Sequence, residues 1–552
     1  MKLLKMQSMI SAKRHSLLLL SKNKYLAFIF LFVLVVNFFF FFTYPINVAA
    51  YDYPNYLAMM HDQVSNLVHA SGYPAFFMVL LSIFDVPQGS TIYDIAWLNE
   101  IQRLQFLLHT GLLLCCLIIC TNVFNQLSAI IMCLVWGLST LFMAGVDSAA
   151  PEWLLGELMA LSFLLSAQAF ICKSNKKKII GYAFSGVIFS YAYLVKYNAL
   201  LVFPILALIL IFDRKSVCWK FFVISMSIVS CLALILAFVE FFHYPTTKSK
   251  QLNYDHAWVL LNDLPSQYLS LPSEQLEINS LRWKALSSVV PVDYSTARAY
   301  CCIETGAPAD VRDAYYIKYR QIMRLSKNEL IVFLKSNPLP NGFITELSAI
   351  PLYWYIGFPE IDALGIATFK EALLSNPMIY INKIFTGIKS WSTYDKQMIM
   401  VPFYSNKLAL IFGENINHKN GFIKIIPTVH VHNPPISQLY WNPQEVVWRP
   451  GILGFESFTS IIMPRWMELL IFVGAMLGVL FSTNASVRFL GFVLLCAIAT
   501  FSAASYVLLG MRFKEYISII PLVAIFYGVG LSASHNIFRD VFVLKIGRHP
   551  IK

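Results

Sequence analysis

Apolar residues along this chain come in long unbroken runs rather than in alternation. The first reads YLAFIFLFVLVVNFFFFFTY at 25–44. Taking its helix as 25–43, nine more spans follow, near 104–122, 127–145, 153–172, 178–195, 198–212, 220–241, 465–482, 487–509 and 515–533. The hydrocarbon core of a bilayer takes roughly 20 helical residues to cross. Runs of this length with so few charges predict membrane-spanning helices, about ten of them, the shortest at 198–212.

The polar stretches between the runs set the expected orientation, because short loops rich in Lys and Arg stay cytoplasmic. Such residues cluster at Lys2, Lys5, Lys13, Arg14, Lys22 and Lys24, in KSNKKK at 173–178, in DRKSVCWK at 213–220, and at Arg539, Lys545, Arg548 and Lys552. All four segments fall on one side if the helices number ten, and both termini are then cytoplasmic. The expected organisation is an N-terminal membrane module at 1–242 with an external loop at 44–103. An external region follows at 243–463, then C-terminal helices and a cytoplasmic tail at 464–552. The segment 243–463 is too long for a simple loop. Its Trp, Tyr and Pro content and amphipathic pieces such as TFKEALLSNPMIYINKIFTGIKSW at 368–391 predict an ordered, mostly helical or irregular domain against the membrane.

Composition agrees with the pattern. Of 552 residues, 58% are hydrophobic and 13% charged, too little charge to cover a water-soluble surface. The net charge of +12 sits in the short loops and does not point to nucleic acid. Eight of the ten cysteines, Cys115, Cys116, Cys120, Cys133, Cys172, Cys218, Cys231 and Cys496, lie in or beside apolar runs and act as small hydrophobes. The adjacent Cys301 and Cys302 do not make a disulfide framework, and no Cys/His spacing suggests zinc. NVAAYD at 47–52 has small residues where a signal would be cut. The preceding run is too long for a signal, so an uncleaved first helix is expected.

Candidate chemistry gathers at the outer ends of these helices. In PNYLAMMHDQVSNLVHAS at 54–71, Leu57, Met60, Val64, Leu67 and Val68 share one helical face, and Asn55, Asp62, Gln63, Asn66 and His69 the other. Pro54 suits the first turn and Gly72 the stop. Asp52 stands at the head of this interfacial helix. It reads either as a cap or as a general base at the membrane surface, and a helix N-terminus favours the carboxylate in both roles. Arg103, Lys196 and Arg512 are cations left in short external segments. A charge at membrane depth costs roughly 2.5–3.5 kcal/mol, so it has a partner, a task, or an escape to the interface. Lys196 and Arg512 together would clamp a phosphate. The turn GVDSAAPE at 145–152 offers Asp147 and Glu152, either as caps around Pro151 or as a second acidic position that orients an acceptor. HVHN at 430–433 pairs His430 with His432 but supplies no other metal ligand, and NAS at 484–486 falls on the cytoplasmic side.

The order of these segments resembles the GT-C membrane glycosyltransferases, especially the group related to protein O-mannosyltransferases and the lipid A aminoarabinose transferase. The resemblance rests on YDYPNYL at 51–57, HASGYPAFF at 69–77, Arg103, DSAAPEWLLGELMALSFLL at 147–165, YLVKYNALLVFP at 193–204 and RFKEYISIIPLVAIFYGVG at 512–530. It covers roughly 25–212 and the last hundred residues. It implies a catalytic acid at Asp52, with Tyr53 where many members carry a second acid. It also implies a Gly72-Tyr73-Pro74 segment in place of His-Pro-Pro, an acid at Glu152 and a basic group at Lys196.

On the strength of the resemblance, the expected activity is inverting sugar transfer from a polyprenyl-phosphate donor to a glycan, lipid or protein acceptor on the external face. The expected setting is a bacterial inner membrane with the site facing the periplasm; an endoplasmic reticulum membrane would be topologically equivalent. A divalent metal is compatible with that chemistry, but the sequence assigns it no ligands. Asp52 is the candidate catalytic residue. His69, Tyr73, Arg103, Asp147, Glu152, Lys196 and Arg512 are the candidate substrate-binding residues. The competing expectations are a transporter or flippase for a lipid-linked sugar, a glycan polymerase or ligase, and a non-catalytic scaffold.

Overall fold

The computed structural model describes residues 24–43, 53–61, 72–89, 94–146, 151–213, 268–290, 309–339, 352–353, 355–378, 381–382, 414–419, 422–427, 440–441, 465–509 and 513–546. The expected helix at 220–241, Cys301, Cys302, His430 and His432 lie outside them. So do Asp52, His69, Asp147 and Arg512.

Helices dominate. In the N-terminal part they are α1 (Lys24–Thr43), α2 (Tyr53–His61), α3 (Gly72–Ile83), α4 (Ile95–Val123), α5 (Gln126–Gly137), α6 (Thr140–Val146), α7 (Glu152–Ile171) and α8 (Asn175–Val195). A 3-10 turn at Tyr197–Leu201 leads into α9 (Phe203–Phe212). Among the described residues, five stretches are long and apolar enough to cross a membrane: Ala96–Val123, Glu152–Ile171, Asn175–Val195, Ala485–Ala503 and Ile517–Arg539. These spans fit a helical membrane protein. Lys24–Phe39, Gly72–Ile83, Gln126–Gly137, Phe203–Phe212 and Leu470–Phe481 are apolar but shorter.

Capping residues explain where several boundaries depart from the hydropathy pattern. The second span begins at Ile95, not near 104, because the Asp94 carboxylate accepts from the amides of Ala96 (2.9 Å) and Trp97 (3.3 Å). Its first turns carry Asn99, Glu100, Gln102 and Arg103, which hide them from a hydropathy window. The run at 127–145 is two helices. α5 stops at Gly137, and Ser139 restarts the chain by accepting from the Phe142 amide at 3.3 Å. Gly72 opens α3.

The bundle packs through small residues and buried hydroxyls. α7 and α8 form an antiparallel hairpin whose seam holds Ser162, Ser166 and Ser185. Ser185 Oγ lies 2.9 Å from Ser162 Oγ and 2.6 Å from Ser166 Oγ. At the far end of that hairpin the Asp213 carboxylate accepts from Lys178 Nζ (2.9 Å) and Tyr182 Oη (2.8 Å). In the C-terminal part, α10 to α13 belong to the second unit below, and the bundle helices are α14 (Arg465–Phe481), α15 (Ala485–Leu509) and α16 (Phe513–Ile546). α16 packs against α14, α5 and α7. It spans 34 residues, about 50 Å at 1.5 Å per residue, and so exceeds a bilayer core. It absorbs Pro521 in its interior, as membrane helices do when neighbours surround the lost bond. Residues expected in a cytoplasmic tail, Arg539 and Lys545, are therefore helical.

Residues between 268 and 375 form a second unit around its own core of Leu281, Trp283, Leu286, Leu330, Ile361 and Ala372. Its helices are α10 (Ile278–Val289), α11 (Ala309–Arg324), α12 (Lys327–Ser336) and α13 (Phe358–Ser375). Glu371 of α13 caps α10 from outside, accepting from the amides of Asn279 (3.0 Å) and Ser280 (2.9 Å). Three short strands, Glu414–Lys419, Phe422–Pro427 and Tyr440–Trp441, pair antiparallel in the order β1-β2-β3.

Candidate functional site

The α7–α8 hairpin brings the start of one helix beside the end of the next. Glu152 is the first residue of α7, and Lys196 follows the last residue of α8. Lys196 Nζ donates to Glu152 Oε1 at 2.7 Å. The Glu152 side chain is 2% exposed and that of Lys196 17%. The second carboxylate oxygen, Glu152 Oε2, is buried and makes no hydrogen bond among the described residues. A buried acceptor of this kind calls for a donor.

Two further elements, α16 and α3, close around the pair, and α4 and α2 reach it through Tyr73. Ser518 of α16 donates from Oγ to the Glu152 carbonyl at 3.0 Å. The approach is tight: a Cβ on Gly156 would lie 2.6 Å from the Ser518 carbonyl oxygen, so only glycine lets α16 this near. α3 arrives in the same way, since a Cβ on Gly72 would lie 2.5 Å from the Leu194 carbonyl. Tyr191 Oη donates to the Gly72 carbonyl at 2.8 Å. That seats the fully buried Tyr73 beside α7, close enough to Glu152 to feel its charge. Tyr73 Oη accepts from Gln105 Nε2 of α4 at 3.1 Å, and its ring packs on Tyr56 of α2 at 5.7 Å.

Of the candidate residues, Glu152, Lys196 and Tyr73 thus come together. Arg103 does not join them. Its side chain is 57% exposed and pairs with Glu100 one turn earlier on α4. It opens no helix, because α4 begins eight residues before it. Asp52, His69, Asp147 and Arg512 lie outside the described residues. The described elements beside them do contribute to this end of the bundle: α2 through Tyr56, α3 through Tyr73, α7 through Glu152 and α16 through Ser518.

A second polar group was overlooked in the sequence. His109 of α4 and Glu157 of α7 are both fully buried, with Nδ1 2.5 Å from Oε1. Asn37 of α1 meets His109 Nε2 through its amide nitrogen at 3.3 Å. The signal was present: each is a lone polar residue within an apolar run, in VVNFF, LLHTG and LGELM.

Among the described residues no group of three or more His, Cys, Asp or Glu is placed to hold an ion. Glu152 already has an ammonium in contact, which opposes a second cation there. The described residues therefore do not fit a divalent-metal site.

Taken together, the described residues define a helical membrane protein with a buried acid–base pair at one end of its bundle. No family model, curated protein or solved structure matches the chain.

Proposed function

We propose that this chain is a GT-C-like membrane glycosyltransferase that moves a sugar from a polyprenyl-phosphate donor to an acceptor on the external face of a bacterial inner membrane. The observation that carries the reading is the Glu152–Lys196 pair, with an ammonium and an unsatisfied carboxylate oxygen side by side at a helix end. The two groups match the two demands of the chemistry. A lipid phosphate leaving the anomeric carbon develops negative charge, and a buried ammonium stabilises it where water is scarce. Glu152 Oε2 accepts a hydrogen bond from a sugar or acceptor hydroxyl and so fixes its orientation.

In this reading Asp52 remains the base that takes the acceptor proton as the hydroxyl attacks. Arg512 adds to the phosphate clamp, and His69 and Asp147 line the acceptor side. Tyr73 and Gln105 form the inner wall. When donor binds, Lys196 exchanges part of its contact with Glu152 for the phosphate. Direct displacement by one hydroxyl inverts the anomeric centre. The test is to delete the gene, restore it with wild-type, D52N or K196A copies, and analyse lipid-linked sugars and surface glycans. Restored glycans with D52N, in membranes holding folded protein, would remove Asp52 from the mechanism.

A second reading is a transporter of a lipid-linked sugar. The His109–Glu157 pair inside the bundle favours it, since ionisable pairs at membrane depth mark transport paths. Movement of the lipid-linked sugar in purified vesicles without its consumption would select it.

A further inference from the structure

The His109–Glu157–Asn37 group is separate from the Glu152–Lys196 pair. Glu157 stands five residues into α7, roughly 8 Å along the axis from Glu152. Three helices meet at the group: α1 through Asn37, α4 through His109 and α7 through Glu157. All three side chains are at most 3% exposed.

Two acceptor oxygens there make no hydrogen bond among the described residues: Asn37 Oδ1 and Glu157 Oε2. Their placement is informative. An Asn side chain offers a donor on one arm and an acceptor on the other, and a half-turn of the amide exchanges them. With Nδ2 toward His109, the imidazole is neutral: Nδ1–H donates to Glu157 and Nε2 accepts from Asn37. With Oδ1 toward His109, Nε2–H donates instead, and the ring is an imidazolium. The group therefore has a complete set of partners for His109 in either state. In the second state its net charge is zero, which low dielectric favours over a lone buried carboxylate.

Polar side chains lead to this group from the Glu152 end. Gln105 lies one turn away on the same face of α4 and hydrogen-bonds Tyr73. Among the described residues, the other side chains facing the group are uncharged. Phe142 of α6 lies 5.7 Å from the His109 ring, with Trp136 of α5 edge-on behind it. Cys116, on α4 itself, is near enough to feel Glu157.

We propose that His109, Glu157 and Asn37 form a proton-binding site inside the membrane. One proton adds to His109 Nε2, and the Asn37 amide turns to accept from the new N–H. The inference does not depend on sugar transfer: a proton site of this kind serves an enzyme or a transporter.

The test uses the full chain in lipid bilayers, labelled with 15N-histidine and followed by solid-state NMR across pH. The chain has 11 histidines, and H109Q identifies which signal belongs to His109. The expected result is an imidazole that gains and loses one proton, is missing in H109Q, and shifts its midpoint in N37L. The shift should be about one pH unit, a tenfold change in proton affinity. If the His109 signal does not change with pH, the pair is a fixed structural bridge and the proposal fails. Should H109Q not fold, N37L keeps both His109 and Glu157. In that case, a histidine spectrum whose pH dependence is the same in N37L and wild type also overturns it.

Discussion

Lys196 and Glu152 depend on each other because neither is well solvated. Removing one partner of a buried pair leaves an uncompensated charge, which costs about 3–5 kcal/mol, whereas replacing both by neutral groups is often tolerated. K196M is therefore expected to destabilise the bundle by that order. The double variant E152Q/K196M should regain most of the loss, as read from thermal unfolding in detergent. A K196M protein as stable as wild type would show that water reaches Glu152 and that the pair is not buried in the membrane. Arg103 gives the opposite case. It is exposed and paired only within its own turn, so R103A should change stability by no more than about 0.5 kcal/mol and leave activity intact. A large loss of activity in R103A would return it to the site.

At the scale of elements, the close approaches at Gly72 and Gly156 hold α3 and α16 against the hairpin. A side chain at either position meets backbone rather than a flexible side chain. G156V should push α16 away and cost about 1–3 kcal/mol. It should also weaken a disulfide cross-link engineered between α7 and α16; undiminished cross-linking would contradict the packing described.

α12 offers a pH-dependent test outside the membrane spans. The Ser326 backbone N–H and hydroxyl both donate to Glu329 and hold its carboxyl below the ordinary carboxylate value. The folded value is the lower one. The cap therefore contributes fully above the unfolded carboxylate value and is lost as pH falls through the folded one. Amide exchange in α12, corrected for intrinsic rates, should speed up on acidification below about pH 4. The E329Q variant should lack that response.

Much of this element layer was legible. The long apolar runs place α1, α7, α8, α14 and α15 within a few residues, because burial in lipid leaves little ambiguity. What hydropathy missed was polar: the Asp94 cap that starts α4 early, the Ser139 cap that divides α5 from α6, and Gly72 as an opening residue. The expected helix at 198–212 is shorter because the 3-10 turn at Tyr197–Leu201 occupies its first turn. Glu152 and Lys196 were readable as charges beside apolar runs. Their contact was not, since it depends on the hairpin register. Asn37, His109 and Glu157 each look like minor interruptions in sequence, and only the packing of three helices joins them.

For the whole molecule, the spans imply sidedness. The turns at 124–125, 172–174 and 482–484 belong to one end of the bundle, and Glu152 with Lys196 to the other. Under the proposed orientation, cysteines introduced at Ser174 and Thr483 should be shielded from a membrane-impermeant maleimide in intact cells, and one at Asn198 should react. Labelling at Ser174 with protection at Asn198 would invert the molecule and place the pair in the cytoplasm.

The claim that the Glu152–Lys196 end transfers sugar from a lipid phosphate is tested most directly with the E152Q/K196M double variant, whose fold should survive. Its rate of sugar release from a radiolabelled polyprenyl-phosphate donor is measured in membranes matched for protein level. The account predicts a loss of about 100-fold or more, the scale of removing a preorganised charge-stabilising group, with labelled donor accumulating. Release at the wild-type rate from folded double variant would contradict it.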